Sequence, residues 1–207
     1  ILEIGTNEPG EISILSEMVK PTHGLITNIG REHIEKLIDL RGVEIEETYL
    51  FGYLHKTGGT CFVNIDDPKL RKYLQILENC FTFGTREADL QAVLSYNENL
   101  RPQLKIKTKD KEFTASPNSN GFSTGLNAIA AAAIAVYFGL PPEEIKNGFE
   151  SFKQDTSKGY GRMTFEKAGD FQIINDCYNS NPESLALALK ALKEIKCKRK
   201  RIAVVGD

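Results

Sequence analysis

Short, nearly continuous apolar runs alternate along the chain with stretches whose apolar residues recur at helical spacing. Runs at residues 2–5, 25–29, 60–65 and 80–83 predict buried strands. Between the first two, Ile12, Leu15, Met18 and Val19 fall on one helical face, after Pro9-Gly10 and before Pro21. A second helix is expected over about residues 42–54, closed by Gly58-Gly59. The turn Asp66-Asp67-Pro68 leads into a short one holding Leu70, Tyr73, Leu74 and Leu77. LQAVLSY and LKIKTKDKEF read as two short strands, the second alternating apolar and charged as an edge strand does. A polar loop at 117–121 precedes the longest helix, with Thr124 as its N-cap and Gly139 as its end. Another helix starts at Pro141-Pro142 and ends near Phe152. The loop at 153–160 marks a boundary. Beyond it FQIIND, a helix over 182–195 and RIAVVGD predict a second strand-helix-strand unit.

Strand, helix, strand in this order gives parallel neighbours, so the chain reads as α/β with a mostly parallel sheet and helices on both faces. In such sheets ligands gather beyond the carboxyl ends of the strands. The polar residues that fall there therefore become candidates.

Composition narrows the field without naming a chemistry. The 207 residues are 41% hydrophobic and 26% charged, with a formal net charge of −2, which gives no general drive toward nucleic acid or membrane. No apolar run approaches the ~18 residues of a membrane span, so no membrane insertion is expected. The basic run KCKRKR at 196–201 links a helix to a strand, where solvated lysines are ordinary. Cys61, Cys80, Cys177 and Cys197 form no CxxC pair, and reduced thiols are the expected state. Because the chain begins at Ile1 inside an expected strand and stops at Asp207 just after another, it reads as an excerpt of a longer protein.

Glu3 lies inside the apolar run ILEIG, where a buried carboxylate needs a partner. A salt bridge is one solution and a magnesium ion another, since Mg²⁺ is held by one or two carboxylates with phosphates and waters. Asn28 lies where the second strand runs out and His33 just past it, on the rim that Glu3 would share. Imidazole is softer than magnesium usually selects, so His33 by itself does not suggest that ion. Glu47 projects between Phe51 and Leu54 on the helical wheel, an inward place for a carboxylate. The stretch Asp176-Cys177-Tyr178-Asn179-Ser180-Asn181-Pro182 could cap the next helix. It carries more polar groups than a cap requires.

Taken in order, LEIGTNEPGEI (2–12), LITNIGREHIE (25–35), GGTCFVNIDDP (58–68), LNAIAAAAIAV (126–136), Gly161-Arg162, NDCYNSNPES (175–184) and AVVGD (203–207) resemble the Mur ligase family. The DxYNxNP form of the late motif is similar to that of the members adding D-alanyl-D-alanine to the UDP-N-acetylmuramoyl tripeptide. Relatives such as folylpolyglutamate synthetase usually carry a histidine there. The resemblance implies a central ATP-binding domain of nucleotide-hydrolase (P-loop-like) type over residues 1–162 and the start of a Rossmann-like ligase domain over 163–207. It implies a cytoplasmic, monomeric enzyme of peptidoglycan precursor synthesis that forms an amide bond through an acyl phosphate. It also implies roles. Glu3 and His33 would hold Mg²⁺ with Asn28 nearby, and Asn127 would bond the adenine of ATP. Arg162 and Asp176 would contact the ribose side, and Tyr178, Asn179 and Asn181 would line the cleft.

Three departures accompany it. The glycine-rich GxxGKT loop, expected just upstream, is not among these residues, so the excerpt alone is expected to be inactive. Ser123-Thr124 stand where the family usually has an aromatic or histidine followed by asparagine. Glu47 stands where most relatives carry a carbamylated lysine, and it would supply that negative charge directly. The alternatives are an amide ligase with another acceptor, or a silent Mur-like scaffold.

Overall fold

The computed structural model describes residues 1–31, 34–153, 162–197 and 199–206, with backbone alone at 34 and 35. Two compact units divide it: Ile1–Ala92 with Lys107–Lys111 and Ala130–Gly139, and Val93–Ile106 with Glu112–Ile129 and Leu140–Asp207.

The first unit is built on parallel strands. β1 (His23–Ile26) pairs with β2 (Thr60–Asn64), β2 with β3 (Cys80–Gly84), and β3 with the start of β4 (Leu90–Tyr96). Cys61, Phe62 and Val63 of β2 are all buried, as a central parallel strand covered on both faces requires. One face is covered by α3 (Leu40–Thr57) and the short α4 (Pro68–Arg71), giving a core of Ile26, Val43, Phe51, Leu54, Cys61, Val63, Leu70 and Leu77. On the other, Phe62 and Phe81 stack edge-on with Tyr137, the last residue of α5 (Phe122–Tyr137).

α3 starts at Asp39, whose side chain accepts the Gly42 N–H, and ends at Gly58 in the left-handed conformation. Helix α1 (Glu11–Val19) packs against α3. Ile12 and Ser16 are buried there, while Met18 is 73% exposed and Val19 is exposed too. The expected stripe of Ile12, Leu15, Met18 and Val19 thus holds only in its first part. The neighbour of α1 is the narrow flank of another helix.

The second unit holds the rest of β4, most of β5 (Pro102–Lys107), β6 (Glu112–Ala115), α6 (Pro142–Ser151), β7 (Thr164–Ala168), β8 (Phe171–Asn175) and α7 (Pro182–Glu194). β5 and β6 alternate buried and exposed residues along their length. A core of Leu100, Phe122, Met163, Ala191 and Ile195 forms here, with Tyr96, Phe165, Ile174, Leu187 and Ala188 packed against it.

The fold class read from the sequence, α/β with a mostly parallel sheet, is the one observed, and five element assignments need correction. Residues 2–5 form no strand, and neither do 201–206. A strand exists only through ladder bonds to a neighbour, and neither segment has one among the described residues. FQIIND pairs antiparallel with β7, in register from Thr164↔Asn175 to Ala168↔Phe171. It opens no parallel unit. LKIKTKDKEF is two strands, and α5 begins at Phe122, two residues before the expected cap, with the Thr124 hydroxyl donating back to the Asn120 carbonyl at 2.7 Å.

Candidate active site

In the first unit the strand ends are tied together by the stretch Asn64-Ile65-Asp66-Asp67. Asn64 donates to the Thr27 carbonyl at 2.7 Å beyond β1. Asp67 accepts the Ile29 N–H at 2.7 Å with one oxygen and the Lys69 N–H at 2.8 Å with the other. The Asp66 Oδ2 accepts the Thr85 N–H at 2.6 Å beyond β3. Gly84 leaves room for this approach, since a Cβ there would stand 2.9 Å from that carboxylate oxygen. The polar residues of this turn hold the rim in shape, and Asn28 stands exposed between Thr27 and Ile29 upon it.

Glu3 is exposed, on the segment that leads to the loop Thr6-Asn7-Glu8-Pro9-Gly10. That loop is held from several sides. Glu11 accepts the Asn7 N–H at 2.5 Å and the Glu8 N–H at 3.0 Å, and these two donors hold its carboxyl below the usual carboxylate value. Glu8 pairs with Lys36 of α2 (Ile34–Leu37). The third tie is Glu46 of α3, only 7% exposed. One of its oxygens accepts the Gly10 N–H at 2.7 Å and the other the Ile12 N–H at 2.8 Å.

Sequence reasoning singled out Glu47 on α3 and overlooked Glu44 and Glu46. Glu47 is half-buried. Glu44, 9% exposed, lies on one flank of the helix, where it accepts from the Tyr73 hydroxyl at 3.3 Å and pairs with Lys72. Glu46 occupies the other flank, against α1. A signal for some distant acceptor existed, though not for which one: Gly10, the N-cap of α1, has no side chain to meet the first N–H groups of that helix. An acceptor had to come from elsewhere. His33 lies outside the described residues, so its place beside Glu3 is not part of this geometry. Among the described residues, no three His, Cys, Asp or Glu side chains are grouped as a preformed metal cage.

In the second unit, three of the expected residues stand together. The Arg162 guanidinium lies over the Tyr178 ring, 4.3 Å from its centroid, and Asp176 accepts the Met163 N–H at 2.9 Å. Met163 has a positive φ of 51° and is buried against Gly121, so the turn after Arg162 is held tightly from both sides. The Asn181 side chain accepts the Ser184 N–H at 2.7 Å while the Ser184 hydroxyl accepts the Asn181 N–H at 2.9 Å, a complete capping box. The carboxamide oxygen of Asn181 is therefore engaged in starting α7. Asn179 and Asn127 are exposed, Asn127 on α5.

Comparison with known proteins adds the following. Residues 1–135 match the Mur ligase middle domain, and residues 161–207 match the Mur ligase, glutamate ligase domain. The UDP-N-acetylmuramoyl-tripeptide--D-alanyl-D-alanine ligase of Bacillus subtilis (strain 168) is 28% identical over 208 residues, covering 100% of this chain and 44% of that protein. A crystal structure of MurF from Acinetobacter baumannii superposes with a TM-score of 0.82 at 24% identity, over 93% of this chain and 42% of that one. MurF from Thermotoga maritima in complex with ADP gives 0.79 at 22% identity, over 93% and 44%. At these identities the structures establish the fold. The chain spans less than half the length of the relatives it matches. No helix of the described residues is long and apolar enough to cross a membrane.

Proposed function

Because the chain belongs to the Mur ligase family, we propose that the protein carrying it is an ATP-dependent amide ligase. It joins D-alanyl-D-alanine to the UDP-N-acetylmuramoyl tripeptide in peptidoglycan precursor synthesis, as a monomer in the cytoplasm. The observation that carries this reading is the ordered motif set, with Asp176-Cys177-Tyr178-Asn179-Ser180-Asn181-Pro182 within it, together with a relative named for that activity that aligns with the whole chain. We assign residues 1–162 to the central ATP-binding domain and 163–207 to the start of the C-terminal ligase domain. Separate matches to two family domains, over residues 1–135 and 161–207, support a division in this part of the chain.

In this proposal Glu3 and His33 hold Mg²⁺, with Asn28 beside them and Glu47 supplying the anionic charge of the carbamylated lysine of relatives. Glu3 and Glu47 offer hard carboxylate oxygens, the donor type magnesium selects. A bound magnesium ion would neutralise charge on phosphoryl oxygens. ATP, as substrate, activates the tripeptide carboxylate by phosphorylation. The dipeptide amine then displaces phosphate to form the amide. Asn127 is assigned to the adenine, and Arg162 and Asp176 to the ribose side. The stack of Arg162 on Tyr178 supports this, because it presents a guanidinium whose position a rigid ring limits. Tyr178, Asn179 and Asn181 line the cleft and help exclude water from the activated acyl group.

The test is release of ADP by the full-length protein given UDP-N-acetylmuramoyl tripeptide, with D-alanyl-D-alanine or single amino acids as acceptor. ADP release that depends on the dipeptide is expected. Turnover with a single amino acid alone makes the protein an amide ligase of another specificity, and no turnover with any acceptor removes the ligase reading. Glu47→Gln in the same protein should lower kcat about 10–100-fold, the scale for groups that support a metal site. An unchanged kcat would leave Glu47 a packing residue.

A further inference from the structure

Helix α1 has no cap of its own. Gly10 occupies the N-cap position at a φ of 90°, a backbone state that glycine adopts without strain and that contributes no side-chain acceptor. The first N–H groups of a helix are costly to bury unpaired. Here they meet Glu46, a carboxylate more than thirty residues away in sequence, with each of its two oxygens on a different N–H. The buried Thr6 hydroxyl stands 3.3 Å from the same carboxylate. This is a buried anion whose acceptor sites are turned toward one loop.

That loop follows Glu3, and the residue after Glu46 is Glu47. We infer that Glu46 is a positioning residue: from α3 it pins the loop from Thr6 to Gly10, and so sets the segment carrying Glu3 relative to Glu47. The inference rests on the assignment of Glu3 and Glu47 to metal-nucleotide binding made above. Glutamine cannot take over this task. A carboxamide has one acceptor oxygen, so its NH₂ group would face either the Gly10 or the Ile12 N–H. Aspartate keeps both oxygens on an arm one methylene shorter.

Glu44 supplies the control. It is a buried carboxylate on the same helix, but it holds Tyr73 and Lys72 and makes no bond to the loop. The experiment is calorimetric titration of the full-length protein with the magnesium complex of a non-hydrolysable ATP analogue, alongside thermal midpoints. Glu46→Gln should weaken binding about tenfold, the equivalent of one charge-assisted hydrogen bond. Glu46→Asp should fall between it and wild type. Glu44→Gln should lower the midpoint while leaving affinity within about twofold of wild type. Equal weakening by Glu44→Gln and Glu46→Gln, or no weakening by Glu46→Gln, overturns the inference and leaves Glu46 a helix cap only. If Glu46→Gln does not fold, Glu46→Asp is compared with Glu44→Gln by the same rule. Wild-type protein that fails to bind the magnesium nucleotide overturns the ligase reading and this inference with it.

Discussion

Helices α1 and α7 both begin after a polar loop, and they satisfy their first N–H groups in opposite ways. At α7 the device is local: Asn181 and Ser184 exchange hydrogen bonds across one turn, and Pro182 occupies a position where no donor is missed. At α1 the loop ends in glycine, and the acceptor arrives from another helix. A local cap forms whenever its own turn forms. A distant one forms only when α3 is already seated, so the loop at α1 is a property of the assembled unit. The difference separates a helix start that can form alone from one that depends on tertiary structure.

Four substitutions press on this contrast, in order of expected size. Glu46→Ala should cost about 3 kcal/mol in urea unfolding of the full-length protein, because one buried and one partly buried N–H group lose a charged acceptor at once. A loss under about 1 kcal/mol would make the distant cap no stronger than a local one. Gly10→Ala should cost about 1–2 kcal/mol by the same measurement, from the left-handed backbone alone. No atom lies within 4 Å of the Cβ it would add, so steric crowding contributes nothing. Asn181→Ala should cost about 1 kcal/mol, the usual scale of an N-cap. If it costs more than Glu46→Ala, the contrast is reversed.

The smallest effect concerns pH. The Asn7 and Glu8 N–H groups hold the Glu11 carboxyl below its ordinary value of 4.5. A depressed folded-state value means stabilisation that is present above pH 4.5 and is lost as pH falls through the folded value. Thermal midpoints between about pH 6 and 3 should therefore fall less steeply in Glu11→Gln than in wild type. Parallel curves would show that these N–H groups do not discriminate between the charged and neutral carboxyl.

The same division between local and distant explains what the sequence revealed. Asn-Pro-Glu-Ser at 181–184 announces a helix start within four residues, and the apolar run at 60–65 announces a strand covered on both faces. The β7–β8 hairpin was equally legible, since Gly169-Asp170 between two short runs is a hairpin signal. Glu166 and Lys167 nevertheless break the apolar pattern of its first strand. Residues 2–5 have the composition of a strand, but pairing is supplied by a neighbour and not by composition. For the candidate site, the clustering of Arg162, Asp176 and Tyr178 follows from two motifs that the sequence already showed. Glu46 could not be ranked above Glu44 or Glu47, because nothing in a run of acids tells which one meets α1.

Asp67 carries the same lesson to the strand ends. One of its oxygens holds the chain leaving β1 at Ile29 and the other holds the start of α4 at Lys69. Two crossings far apart in sequence are thereby yoked through a single side chain. Neither can drift without tugging on its counterpart, so breathing at this lip is collective, and an insertion in one crossing is felt by the other.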